Sequence, residues 1–171
     1  MATQNPIEQE GTYRLPEAQL DRFLFKIEIG YPGLEEEVAI LERKHLQKGQ
    51  DEELLVAAVL SSDEIREYQR IIHDLVVEPQ LLQYIARIVQ RTREDASLYL
   101  GASPRASIAI LHTAKAHAAI NGRDFVTPED IKTVAPPVLG HRIVLAPERE
   151  MEGMTAAQVV GQILDAVEIP R

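Results

Sequence analysis

Apolar residues recur with a helical period over most of this chain. Leu34, Val38 and Leu41 lie on one face of a predicted helix. Glu35–Glu37 fill its first turn, where negative charge suits the helix dipole. Gly49 is expected to end this helix, and a short apolar helix is predicted over residues 52–60.

Five further helices are predicted from their start signals. A capping box of Ser61 with Glu64 begins the first of them, and the others begin at Glu78-Pro79, Ser103-Pro104, Thr127-Pro128 and Thr155. The inward positions predicted for the first two are Ile65, Tyr68, Ile71 and Ile72, then Leu82, Ile85 and Val89. Asn121-Gly122 is expected to end the Ser103 helix, Pro136-Pro137 to break the Thr127 helix, and residues 141–154 to be irregular.

The exception to the helical period is Phe23–Ile29, where apolar and polar residues alternate. Phe25, Ile27 and Ile29 would face one way and Lys26 and Glu28 the other, which predicts a β-strand. One strand cannot satisfy its own ladder, so this segment is expected to belong to a larger sheet. The turn at residues 30–33 is predicted to be a domain boundary.

Composition excludes several classes of function. The net charge of −9 argues against a protein that binds nucleic acid backbones. The chain has no cysteine, and its five histidines show no helical metal-ligand spacing, so no metal site is predicted. It lacks a signal-peptide pattern and an apolar run long enough to span a bilayer, so a cytoplasmic location without membrane insertion is expected.

Three polar residues are candidates for chemistry at a phosphate. Arg105 lies in the first turn of a predicted helix, where free N–H groups and a guanidinium could bind a phosphate; the alternative is an arginine that reaches solvent or a nearby glutamate. Arg22 could project from the rim of an α/β core, or could pair with Glu17 or Asp21. Asn5 could orient a water or a phosphate, or could form a turn before Pro6.

Two blocks of sequence resemble the MoxR family of AAA+ ATPases. The first runs from Ala2 to Thr12 and continues as Leu15-Pro16-Glu17-Ala18-Gln19-Leu20-Asp21-Arg22-Phe23; the second is Gly101-Ala102-Ser103-Pro104-Arg105-Ala106. The Thr127-Pro128-Glu129-Asp130 element and the spacing also fit, so the resemblance covers nearly the whole chain. One departure is Gly140 before His141-Arg142-Ile143, where the family often carries arginine.

The resemblance implies a role for each candidate. Asn5 corresponds to the sensor-1 residue that orients the attacking water, and Arg22 to the arginine finger that reaches a neighbouring subunit. Arg105 corresponds to the sensor-2 arginine of the helical lid, which contacts nucleotide phosphate in its own subunit or in a neighbour. The implied fold is mainly α: a remnant of the α/β core with about one strand over residues 1–31, then an all-helical AAA+ lid over 32–171.

By the same resemblance, the intact protein would use ATP and Mg²⁺ in a ring, with a hexamer expected, to remodel partner proteins. Proteins with a von Willebrand factor A domain are the expected clients. The phosphate loop Gly-x-x-x-x-Gly-Lys-Ser/Thr is absent from these 171 residues, so the chain is expected to be a C-terminal fragment that is inactive and holds no nucleotide tightly. The alternatives are a stand-alone helical interaction module and a degenerate ATPase subunit.

Overall fold

The computed structural model describes residues 2–3, 15–47 and 57–170, which form two compact units. One unit comprises the chain up to Lys26 together with the chain from Leu75 onward, and the other comprises Ile27–Asp74. The described residues contain eight helices and one two-stranded sheet. The prediction of a mainly α fold is therefore confirmed. No helix in the described ranges is long and apolar enough to cross a membrane.

The larger unit contains most of the elements. In chain order they are α1 (Glu17–Leu20), α4 (Pro79–Glu94), β1 (Leu98–Leu100), α5 (Pro104–Ile120), α6 (Pro128–Leu139), β2 (Val144–Leu145), α7 (Pro147–Met151) and α8 (Ala156–Ala166). The smaller unit contains α2 (Leu34–Gln47) and α3 (Ser62–Asp74).

The core of the larger unit lies among α4, α5, α6 and α8. Its largest fully buried side chains include Tyr84 and Ile88 on α4, Ile110 on α5, Leu139 on α6 and Ile163 on α8. Helix α5 contributes mostly alanines, which keep its packed face flat and let α6 approach it closely.

A short antiparallel pairing closes one end of the larger unit. Leu98 pairs with Leu145 and Leu100 with Val144, and the register shifts between the two pairs. Gly101 follows β1 and lies against the end of α4, where an added Cβ would stand 2.5 Å from the Thr92 carbonyl oxygen. The absence of a side chain at Gly101 therefore permits the approach that leads the chain into α5.

The predicted helix starts are confirmed where their cap geometry can be read. Reciprocal capping boxes join Ser61 to Glu64, Thr127 to Asp130 and Thr155 to Gln158. Gly122 has φ +71° just after α5, as a glycine stop requires. The capping boxes and the glycine stop each depend on residues a few positions apart, and the helices begin and end where these residues predict.

The predicted strand over Phe23–Ile29 is wrong, because none of these residues has strand structure. A ladder needs a neighbouring strand, and the described residues offer none beside this segment. Its apolar side chains are exposed, with Ile27 at 76% and Ile29 at 91%. Alternation alone therefore did not determine a strand here.

Three other expectations are also corrected. Pro136 and Pro137 do not break the helix, since α6 runs through them to Leu139 and Gly140 N–H still donates to the Pro136 carbonyl at 2.9 Å. Residues 57–60 are not helical, while 52–56 lie outside the described residues. The segment 141–154 is not wholly irregular, because it contains β2 and α7.

Some predicted inward positions are also wrong. On α4 the buried stripe contains Leu81 rather than Leu82, which is 45% exposed, whereas Ile85 and Val89 are buried as predicted. On α3 none of the predicted inward residues is buried. Periodicity located these helices correctly but did not determine which of two adjacent leucines faces the core, or whether a core covers α3.

Candidate functional site

The N-terminus of α5 is closed by its own cap. Ser103 Oγ accepts the N–H of Arg105 at 3.2 Å, and the Ser103 carbonyl accepts the N–H of Ala106 at 2.9 Å. Pro104 has no N–H to offer. The free N–H groups expected at this terminus are therefore already satisfied, and any phosphate would depend on the Arg105 side chain.

Arg105 meets a carboxylate that lies 84 positions earlier in the sequence. Its Nη1 donates to Asp21 Oδ2 at 3.1 Å, and Ser103 Oγ donates to the same oxygen at 2.9 Å. The Arg105 side chain is still 54% exposed, so about half of it remains open to solvent. Arg105 therefore reaches solvent, as the alternative from the sequence expected, but its acidic partner is an aspartate at the end of α1 rather than a glutamate.

Arg142 occupies the other side of the same carboxylate. Its Nε donates to Asp21 Oδ1 at 3.1 Å, and the Arg142 side chain is only 2% exposed. Burial lowers the pKa of the Arg142 guanidinium, while Asp21 opposes that change. Asp21 is therefore an anion shared between one buried arginine and one open arginine.

The remaining donors of Arg142 bind main-chain carbonyls. Nη2 donates to the carbonyls of Asp21 and Phe23, and Nη1 donates to those of Leu24 and Val138. One guanidinium thus ties the segment after α1 to the last turn of α6. Five acceptors around a planar fork explain why this cation tolerates burial.

His141 adds to the same attachment. Its Nε2–H donates to the Phe23 carbonyl at 2.9 Å, so that carbonyl accepts from His141 and from Arg142. Burial lowers the pKa of His141, which favours the neutral ring. Further along, Lys26 N–H donates to the Pro137 carbonyl at 3.3 Å. The chain from residue 21 to 26 is therefore fastened to α6 and the turn after it.

Arg22 lies within this attached segment and has an exposed side chain. Within the described ranges the Arg22 side chain makes no hydrogen bond or ion pair, so its predicted alternative pairing with Glu17 or Asp21 is not observed. Asp21 is occupied by Arg105 and Arg142 instead. The structure brings Arg105 to the residue adjacent to Arg22, while Asn5 lies outside the described residues.

Two residues of this cluster were not predicted. The sequence suggests Asp21 only as a local partner of Arg22, and it predicts no role for Arg142. Their contact spans 121 positions of sequence, so no local pattern could reveal it. The one available signal was Arg142 itself, an arginine between His141 and Ile143 in an otherwise apolar stretch.

Family models match both parts of this arrangement. Residues 90–163 match the AAA lid domain, and residues 1–25 match the ATPase family associated with various cellular activities (AAA). Chaperone MoxR1 of Mycobacterium tuberculosis is 40% identical over 180 residues, covering 100% of this chain. The chain belongs to the MoxR family of AAA+ ATPases.

Two further proteins are similar to nearly the whole of this MoxR-family chain. Protein YeaC of Bacillus subtilis is 45% identical over 170 residues, which are 99% of this chain and 52% of YeaC. The crystal structure of a protein assigned as an ATPase from Cytophaga hutchinsonii superposes with a TM-score of 0.88 at 40% identity, covering 98% of this chain and 53% of that one. The alignment covers 46% of MoxR1, so the chain spans about half the length of these relatives.

Proposed function

We propose that this chain supplies the lid and the nucleotide-responding end of the core of a MoxR-type ATPase. In this proposal residues 1–31 belong to the α/β core and residues 32–171 to the lid. The intact protein hydrolyses Mg-ATP in a ring, with six subunits proposed, and remodels client proteins in the cytoplasm. Clients with a von Willebrand factor A domain are part of the proposal by family resemblance.

The observation that supports this proposal most is the contact of Arg105 with the residue directly before Arg22. Arg105 and Arg22 come from segments far apart in sequence, yet Asp21 directly precedes Arg22 and binds Arg105. Both guanidiniums keep exposed donors. Exposed guanidinium groups are suited to phosphate oxygens, which they bind bidentately.

In the proposed roles, Arg22 is the arginine finger and Arg105 is the sensor-2 residue. Arg22 would stabilise negative charge on the phosphoryl group of a nucleotide held by a neighbouring subunit. Arg105 would use the part of its fork that Asp21 leaves open to bind a phosphate oxygen. Asn5 is proposed as the sensor-1 residue that orients the attacking water. When bound, Mg-ATP supplies the phosphoryl group that is transferred to water.

Calorimetry with ATP and Mg²⁺ tests the first part of the proposal. The 171-residue chain has no phosphate loop, so it is expected to show no heat of binding at nucleotide concentrations up to about 1 mM. A Kd of about 1 mM corresponds to a binding free energy of about −4.1 kcal/mol. Binding in the micromolar range by this chain alone would contradict the proposal, because two arginines would then have to replace a whole phosphate cradle.

The reading frame that precedes Met1 separates this proposal from the alternatives. An intact Gly-x-x-x-x-Gly-Lys-Ser/Thr motif in frame supports it. A stop codon directly upstream would favour a stand-alone interaction module, and a decayed motif would favour a degenerate ATPase subunit. In an intact protein, Arg105→Ala is then expected to weaken nucleotide binding, measured with a fluorescent ATP analogue, whereas Arg87→Ala on the surface of α4 is not.

A further inference from the structure

We infer that Arg142 is a positioning residue for Arg22: it fixes the backbone on both sides of Arg22 and anchors that segment to the lid through Asp21. This inference rests on the proposed function for the importance of Arg22. Its structural content, however, can be tested without nucleotide. The contacts of Arg142 carry the inference.

The bonds of Arg142 are distributed around Arg22 along the chain. They reach the carbonyl of Asp21 on one side and the carbonyls of Phe23 and Leu24 on the other. The Arg22 N–H donates to the Gln19 carbonyl at 3.2 Å, which holds the residue against α1. A peptide fixed at residues 21, 23 and 24 leaves Arg22 only its side-chain torsions.

The reason Arg142 is an arginine lies in the geometry of the acceptors. Lysine offers three donors from one point, whereas the guanidinium offers five donors in a plane. Here Nε, Nη1 and Nη2 all have acceptors, and four of the five acceptors are main-chain carbonyls. Lysine at position 142 would keep the charge near Asp21 but could not reach all of these carbonyls, of which that of Val138 is buried.

The shared carboxylate extends this anchor to Arg105. Asp21 Oδ1 accepts from Arg142, and Asp21 Oδ2 accepts from Arg105 and from Ser103 at the start of α5. The backbone that carries Arg22 and the helix that carries Arg105 are thus joined at one residue. Loss of Arg142 would therefore release Arg22 first and Arg105 only indirectly.

Trypsin provides a direct readout, because it cleaves after Arg22 only when the local chain opens. Cleavage of Arg22–Phe23 should then report the opening of this segment. Cleavage of Arg91–Thr92 should report unfolding of the larger unit, since Thr92 is fully buried in α4. The measured quantity is the initial rate of cleavage at Arg22–Phe23 divided by that at Arg91–Thr92. Both rates are followed by mass spectrometry on the 171-residue chain without nucleotide.

For Arg142→Lys we expect this ratio to rise at least about tenfold over wild type, the equivalent of one lost hydrogen bond to a charged group. Arg123→Lys is the matched control, because Arg123 also binds a buried aspartate, Asp130, but its side-chain hydrogen bonds go to Phe125 and Asp130 rather than to residues 21–24. It should not raise the ratio. Equal acceleration at both bonds, or no acceleration, in Arg142→Lys would overturn the inference.

Asp21→Asn decides the question if Arg142→Lys fails to fold by circular dichroism. It removes the carboxylate charge and keeps the carbonyl acceptors, so the ratio should rise about three- to tenfold; an unchanged ratio would overturn the inference. The digest uses no nucleotide, so its outcome is separate from the proposed function. If Arg142→Lys raises the ratio but an Arg22 variant of the intact protein hydrolyses ATP at the full rate, the proposed function is contradicted and the inference about Arg142 is not.

Discussion

Replacing Asp130 with asparagine should destabilise the larger unit strongly. The Asp130 carboxylate is 1% exposed and caps α6. Its Oδ2 accepts from Arg123 Nη1 at 2.7 Å and from the Thr127 N–H at 2.8 Å, and its Oδ1 accepts from Arg123 Nη2 at 2.6 Å and from His117 Nδ1 at 2.6 Å. Because both oxygens accept from Arg123, an asparagine in either orientation places its NH₂ group against a guanidinium donor.

The size of the effect follows from that arrangement. Removing one partner of a buried, hydrogen-bonded ion pair typically costs about 3–5 kcal/mol. We expect Asp130→Asn to lower the free energy of unfolding by about 3 kcal/mol at neutral pH, since its amide oxygen keeps part of the cap. Glu129→Gln is the matched control: it removes the same charge from the same turn at an exposed position, and should cost less than about 1 kcal/mol.

The pH dependence has a defined sign. Burial would raise the pKa of Asp130, but the hydrogen bonds from Arg123, Thr127 and His117 outweigh it and hold that pKa well below its usual range. A lowered folded-state pKa gives stability that is present above the unfolded pKa of about 3.9 and is lost as the pH falls toward the folded value. The difference between wild type and Asp130→Asn should therefore shrink as the pH falls below about 4.

Hydrogen exchange of the α5 and α6 amides measures this opening free energy for the larger unit by itself. A loss below about 1 kcal/mol for Asp130→Asn, or an equal loss for Glu129→Gln, would refute the assignment of Asp130 as a buried charged cap.

Two further changes test the packing. Gly101→Ala should destabilise the larger unit by about 1–3 kcal/mol, because its Cβ would stand 2.7 Å from the Arg93 backbone; Gly161→Ala in α8 meets nothing within 4 Å and should instead stabilise by up to about 1 kcal/mol, and paired thermal melts check the opposite signs. Tyr84→Phe should leave stability unchanged or raise it slightly in urea unfolding, because the Tyr84 hydroxyl is buried and has no hydrogen-bond partner among the described residues; a loss above about 1 kcal/mol would contradict this account.

Features that depend on a few adjacent residues could be predicted from the sequence. The boxes at Thr127 and Thr155 are examples, because a cap is made by side chains three positions apart. The prediction of a strand over Phe23–Ile29 was wrong because a strand depends on residues far away in the sequence. Alternation of apolar and polar residues shows that the two faces of an extended segment would differ in polarity. A strand forms only where a second strand offers hydrogen bonds.

The candidate site shows the same division. Arg105 could be selected locally, because a cation in the first turn of a helix is unfavourable unless it has another partner. That partner, Asp21, is 84 positions away and comes from packing alone. The prediction that Pro136 and Pro137 break α6 was wrong, because two missing N–H groups in one turn are tolerable where the surrounding helix is packed. Val138 and Leu139, which follow the prolines, are fully buried.

ATP hydrolysis by the intact protein with Arg22→Ala tests the central claim most directly. If Arg22 is an arginine finger, kcat should fall by about 10³ or more, while an ATP analogue still binds. Arg91→Ala, another exposed arginine of the same unit, should keep kcat within about twofold, as is usual for surface substitutions away from a site. Hydrolysis that is unchanged in Arg22→Ala would contradict the claim that this segment acts on nucleotide.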